Sequence, residues 1–216
     1  MTPPDISCFF TTGQPHFLCG SRLFSQRDPA YDQAASLRIH PRRTAMRIQP
    51  ATAESAERYL PQLARLIVNA VDSGASIGWL PPMPEASAKA YWCDRFAAVR
   101  EGKCVLLLAL EGETVIGTAQ LNLDQRENGL HRAEVQKVLV HPDYRQRGIG
   151  RRLMQAIEAQ ASAHRRTMLF LDVREGDIAE GLYRAVGFTQ CGIIPHYVVN
   201  GEGAFEATVL YYKILT

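Results

Sequence analysis

Between residues 54 and 72 apolar side chains return at helical spacing. Tyr59, Leu60, Leu63, Leu66, Ile67 and Val71 form one stripe, which predicts an amphipathic helix. Pro61 either kinks that helix or marks its true start. The Gly/Pro-rich stretch 73–84 reads as a loop, and 85–102 as a second helix stopped by Gly102. The period then changes. "KCVLLLAL" and "TVIGTAQLNL" flank Glu111, Gly112 and Glu113 and predict a hairpin. "RAEVQKVLV" at 132–140 is a third strand of this block. A helix over 148–164 follows, with Leu153, Met154, Ile157 and Ala161 on one face. "TMLFLDV" at 167–173 reads as a buried strand, 177–188 as a helix ending at Gly187, and "TQCGII" and "ATVLYYKIL" as closing strands.

The predicted order from residue 46 is β-α-α-β-β-β-α-β-α-β-β. The strand–helix–strand unit over 132–173 calls for a parallel pair with a right-handed crossover, and the hairpins make the rest antiparallel. A mixed α/β fold follows, with helices on both faces of the sheet.

Residues 1–45 lack this order. They mix Pro, Ser, Thr, Gly, Arg and Gln without a sustained period, and read as a disordered extension before a domain at 46–216. Met46 could equally be the initiator, and the Arg-rich, acid-poor segment also fits a transit peptide. This segment holds five arginines against three aspartates, which accounts for the whole formal charge of +2. The remainder is electrically neutral, which argues against nucleic acid as a partner. The longest apolar run, 105–110, is too short to span a membrane. The five cysteines include no Cys-x-x-Cys pair and read as reduced thiols of a cytoplasmic protein.

The chemistry concentrates at "VHPDYRQRGIGRRLM", residues 140–154, where a strand passes into a helix through arginines and glycines. A helix start presents unpaired N–H groups and the positive end of the dipole, so the expected ligand is an anion. Gly148 and Gly150 would let backbone approach phosphates, while Arg145, Arg147 and Arg151 supply charge.

This pattern resembles the acyl-CoA-binding motif of the GNAT (Gcn5-related) N-acetyltransferases, Gln/Arg-x-x-Gly-x-Gly/Ala, at Arg145, Gly148 and Gly150. "LYRAVGF" at 182–188 is similar to a second element of that family, Leu-Tyr-x-x-x-Gly-Phe, whose tyrosine lies near the thioester sulfur; Tyr183 matches it. The Asn usual seven residues before that tyrosine is Gly176 here, which removes a side-chain contact to CoA. "GASIGW" at 74–79, "NGLHRAEVQKVLVHP" at 128–142 and "LDVREGDIAEGLY" at 171–183 resemble the tabtoxin-resistance branch, over nearly all of 46–216.

The resemblance implies a GNAT fold with a splayed central parallel pair and acetyl-CoA as co-substrate. It implies cofactor contacts from the backbone at Val138, Leu139 and Val140 and from Arg145, Gln146, Arg147, Gly148, Ile149, Gly150 and Arg151. A backbone N–H near Val138 or Leu139 would serve as oxyanion donor. The acceptor implied is a small amine, either a β-lactam dipeptide toxin or an amino-acid-like molecule. Other readings are acetylation of protein N-termini or lysines, and a non-catalytic acyl-CoA sensor. A monomer or homodimer is expected.

Acetyl transfer requires that the amine lose a proton, that the thioester oxygen find a donor, and that the thiolate be protonated. Glu134 and Asp172 lie on strands expected to be parallel neighbours, so both could face one cleft. Asp172 follows four apolar residues, and partial burial is expected to raise its pKa. In the branch resembled, the matching Glu and Asp are the proposed bases. Glu134 could instead pair with Arg132 or Lys137, and Asp172 could cap its turn. Tyr183 is the candidate acid, or else a core aromatic. The loops 73–84 and 196–205 are expected to close over the acceptor, with Trp79 as wall or anchor. His131 and His141 lack metal-ligand spacing, so no metal is expected.

Overall fold

The computed structural model describes residues 45–216, so the expected N-terminal extension lies outside the described residues. Seven strands form one sheet in the order β1-β2-β3-β4-β5-β7-β6. They are β1 (Arg47–Ala51), β2 (Cys104–Glu111), β3 (Thr114–Leu123), β4 (Arg132–Val140), β5 (Met168–Arg174), β6 (Thr189–Val199) and β7 (Phe205–Ile214). Five of the six pairings are antiparallel, and only β4 with β5 is parallel. The mixed architecture is the one expected.

The first predicted helix is two. A short α1 (Ala53–Glu57) precedes α2 (Leu60–Asp72), and Pro61 sits in the first turn of α2, so it marks a start rather than a kink. Thr52 caps α1, its hydroxyl accepting from the Ser55 N–H at 3.2 Å. Then come α3 (Glu85–Arg100), α4 (Ile149–Ala163) and α5 (Ala179–Ala185). None of these helices is long and apolar enough to cross a membrane.

β2 shows why both faces of the sheet are covered. Its side chains alternate, Leu107 and Ala109 joining α4 on one face and Leu106, Leu108 and Leu110 joining α2 and α3 on the other. Each such leucine, fully buried, contributes about 1.5–3 kcal/mol. The α4-side core also takes Leu153, Met154, Ile157, Leu169, Leu171 and Tyr211; the other takes Leu63, Ile67, Trp92 and Phe96.

The region 196–205 is the tip of a hairpin: β6 runs on to Val199 and β7 begins at Phe205, and a Cβ built on Gly201 would lie 3.0 Å from Pro81 Cγ in the 73–84 stretch. Asn200 organises the turn: its Oδ1 accepts from the N–H groups of Glu202 and Ala204, both at 3.0 Å.

Candidate active site

At the β4–α4 junction the chain leaves β4 through a 3-10 turn (Pro142–Tyr144) and enters α4 through Gly148. Gly148 has φ +73°, a left-handed conformation that disfavours other residues, and a Cβ built there would meet nothing within 4 Å. The space beside it is open. No side chain caps α4, and the N–H groups of Ile149, Gly150 and Arg151 have no acceptor among the described residues. The guanidiniums hold only long contacts to carbonyls: Arg145 to Val140 at 3.3 Å, Arg147 to Asp143 at 3.2 Å and Arg151 to Ala185 at 3.4 Å. Arg147 also stacks on Tyr144, 4.8 Å from the ring centroid. None of the three pairs with a carboxylate among the described residues. Three unneutralised arginines at an uncapped helix start fit a phosphate-bearing ligand.

Gly150 also has a packing role. A Cβ there would lie 3.0 Å from Leu182 Cδ2, so its absence lets α4 approach α5.

The parallel pair opens beside this turn. β4 and β5 are paired only from Arg132 opposite Met168 to Glu134 opposite Phe170. β4 continues against β3 as far as Val140, so beyond Glu134 its β5-facing edge, including Val138 and Leu139, has no strand partner. This is the splay the resemblance implied.

Glu134 and Asp172 project from one face of the sheet. Their neighbours Ala133, Val135, Leu169 and Leu171 all enter the α4-side core, so the intervening residues point the other way. Glu134 forms no ion pair among the described residues; Arg132 binds Asp124 instead, at 2.8 Å. Glu134 borders a cavity of about 430 Å³ with Asn122, Asp124, Arg126 and Phe170. Asp172 corrects an expectation: it is exposed, because its side of β5 carries no covering helix, so the expected partial burial is absent. It accepts from the Thr208 hydroxyl at 3.3 Å.

Tyr183 is buried against Phe188 and Tyr211, with ring centroids 6.1 and 6.2 Å away. Burial first, then the Asp177 and Asp172 carboxylates, push its phenol well above the ordinary tyrosine range. Its ring is core and its hydroxyl donates to no group among the described residues. At position 176, where the side chain is missing, the Gly176 N–H donates to Glu180 at 2.7 Å. His131 is exposed, and its carbonyl accepts from the Thr167 and Met168 N–H groups at 2.7 and 3.1 Å, a turn role.

Sequence reasoning missed the opposite wall. Lys137 sits at a bulge in β4 with φ +48°. Its ammonium lies 5.4 Å from the Trp79 ring centroid and 5.7 Å from that of Tyr91. Trp79 packs edge-on to Tyr91 at 5.0 Å, half-buried against the core, which is the anchor role. The Tyr91 hydroxyl donates to Gln120 Oε1 at 2.9 Å, and the Arg95 guanidinium lies 5.7 Å from the same ring. Desolvation pulls the Lys137 pKa down; the fields of Asp172 and then Glu134 oppose it, and Arg95 adds to it. The available signal was a lone lysine amid the apolar residues of "VQKVLV".

The model of the acetyltransferase (GNAT) family matches residues 68–188, more than half of the chain. The chain belongs to the GNAT acetyltransferase family. The match contains the turn, both carboxylates and Tyr183. Among curated GNAT relatives, the chain is 36% identical over 99 residues to the N-alpha-acetyltransferase RimI of Mycobacterium tuberculosis, covering 45% of this chain and 60% of that protein. It is 33% identical over 109 residues to an uncharacterized N-acetyltransferase of Azospirillum brasilense, covering 50% and 63%. The chain thus spans less than two thirds of the curated relatives it matches. Its fold is similar to that of the ribosomal-protein-alanine N-acetyltransferase of Brucella melitensis, with TM-score 0.65, 25% identity, and 78% of this chain and 99% of that one covered. It is also similar to a GNAT phosphinothricin acetyltransferase of Sinorhizobium meliloti solved with acetyl-CoA, with TM-score 0.67, 20% identity, and coverage of 79% and 88%.

Proposed function

We propose that this protein transfers the acetyl group of acetyl-CoA to the amine of a small, amino-acid-like molecule. The observation that carries the reading is the union of an uncapped, arginine-lined helix start with a strand edge freed beyond Glu134. The pyrophosphate would rest on the N–H groups of Ile149, Gly150 and Arg151, with Arg145, Gln146 and Arg147 beside it. The thioester would lie along Val138–Val140, where a free backbone N–H stabilises the developing oxyanion.

In this reading Glu134 and Asp172 take the proton from the amine, directly or through water. The amine nitrogen then attacks the thioester carbon, the C–S bond breaks, Tyr183 protonates the departing thiolate, and the nitrogen's second proton returns to the phenolate, directly or through water. Burial keeps this phenol protonated at neutral pH and also makes it a weaker acid, so its proton goes to the thiolate only as the nitrogen's second proton replaces it. β-Lactam dipeptide toxins are one candidate acceptor class, which would make this a resistance enzyme.

A second reading is acetylation of protein N-termini, which the names of the Mycobacterium and Brucella relatives favour. One assay separates the two. Acetyl-CoA is titrated first, and CoA release is then followed over amino acids, β-lactam dipeptides and peptides with a free N-terminus. Turnover restricted to peptides would replace the small-molecule reading. A protein that binds acetyl-CoA but turns over none of these amines would favour a sensor.

A further inference from the structure

The wall facing Glu134 holds donors with nothing to donate to. Gln120 is fully buried; its Oε1 is occupied by Tyr91, and its Nε2 has no partner. Arg95 Nε is likewise buried and unpartnered. Lys137 makes no hydrogen bond or ion pair among the described residues. A buried donor without an acceptor is unfavourable. Two buried donors and the half-buried Lys137 ammonium thus come together around the Tyr91 ring.

The backbone is bent to place one of them. Thr118 stands opposite Leu139 and Gln120 opposite Gln136, so β4 carries one residue more than β3 between these rungs. By regular alternation Lys137 would follow Ala133 and Val135 into the α4-side core. The bulge turns it to the other face, where Trp79 and Tyr91 stand. Holding a lysine at φ +48° is unfavourable. Glycine or asparagine would take the same turn at lower cost, so the cationic side chain itself is what this position retains.

Charges are also balanced across the cleft. Two carboxylates, Glu134 and Asp172, are matched by two cations, Lys137 and Arg95, all close enough to influence the Lys137 ammonium. An amine alone would answer the carboxylates and leave the cations unanswered. A zwitterion answers both.

We propose that Lys137, aided by the Gln120 amide and the field of Arg95, is a subsite for a carboxylate carried by the acceptor. The acceptor is then an amino acid or a short peptide whose free carboxylate lies within a few atoms of the amine. This deepens the small-molecule reading above and rests on it. It also separates that reading from N-terminal acetylation, because a protein N-terminus has no carboxylate at that place.

The test compares matched pairs on the wild-type protein: free amino acids and the α-carboxamides of the same amino acids, with acetyl-CoA saturating and CoA release recorded. The carboxamide amine is the less basic of each pair and the more often unprotonated at neutral pH, so intrinsic reactivity runs against the expected result. kcat/KM should nonetheless be at least ten-fold higher for the free acids. Lys137→Met keeps the hydrocarbon stem and should erase that preference through KM of the acids, lowering kcat/KM at least ten-fold more for the acids than for the carboxamides; Lys137→Arg should keep most of it. Equal use of acids and carboxamides by the wild type overturns the subsite, whether or not the variants fold. So does a Lys137→Met protein that loses both series equally. If acetyl-CoA binds and only peptides turn over, the subsite falls together with the small-molecule reading. If acetyl-CoA does not bind, the acetyl-transfer reading itself falls.

Discussion

Glu134 and Phe170 form the last rung between β4 and β5. One residue further along, β4 has lost its parallel neighbour while keeping its antiparallel one. The carboxylate therefore stands where the sheet opens, beside a free strand edge and on the face away from α4. The expected behaviour of the protein follows from this arrangement.

Gly148→Asp should weaken acetyl-CoA binding at least ten-fold, about 1.4 kcal/mol. It puts a negative charge at the positive end of α4 and a side chain into a left-handed conformation. Gly148→Ala separates the two effects, since it carries the strain without the charge. Calorimetric titration with acetyl-CoA should rank wild type, Ala and Asp in that order. Equal affinities in folded proteins would place the anion elsewhere.

Gly150→Val should lower the melting temperature, because the added Cβ would press on Leu182 at 3.0 Å. Overpacking of this kind costs about 1–3 kcal/mol. Leu182→Ala in the same chain should restore part of the loss, and thermal denaturation of the two single variants and the double variant reads that coupling directly. Strictly additive losses would mean that the two residues do not press on one another.

Glu134→Gln and Asp172→Asn should each lower kcat while acetyl-CoA binding stays nearly intact. Loss of a general base typically costs 10²–10⁴-fold. The double variant should be much less than additively worse if the two carboxylates serve one proton path. A pure acceptor-binding role would raise KM for the amine and spare kcat. Steady-state kinetics with a saturating acceptor decides between these outcomes.

Alkaline titration should expose the buried tyrosines. Burial raises the pKa of both Tyr91 and Tyr183 above the ordinary value near 10. Above that value the unfolded chain releases these protons before the native protein does, so the native state binds more protons and stability falls as pH rises. Stability should be insensitive to these groups below about pH 9 and decline beyond about pH 10. Tyr91→Phe and Tyr183→Phe should each flatten the decline in denaturant melts. An unchanged slope in both would show that neither phenol is kept protonated by the fold.

Local pattern alone determined most of the architecture. The helical stripe of α4, the alternation through β2 and β3 and the extent of β4 are written in nearest-neighbour spacing, and so is the change of conformation at Gly148, where glycine and helix start coincide. The pair Glu134 and Asp172 was legible because parallel strands with buried odd positions place their even positions on one face. Three features lay beyond that reach. The burial of Asp172 depends on whether a helix covers that part of β5, and none does. The role of Gly150 depends on Leu182, a residue of another helix. Lys137 reaches the Trp79 and Tyr91 rings only because a bulge against β3 reverses the alternation of β4, and a bulge is a property of two strands in register rather than of either sequence. Spacing along one chain fixes which way a side chain points within its element, and packing between elements decides what it meets there.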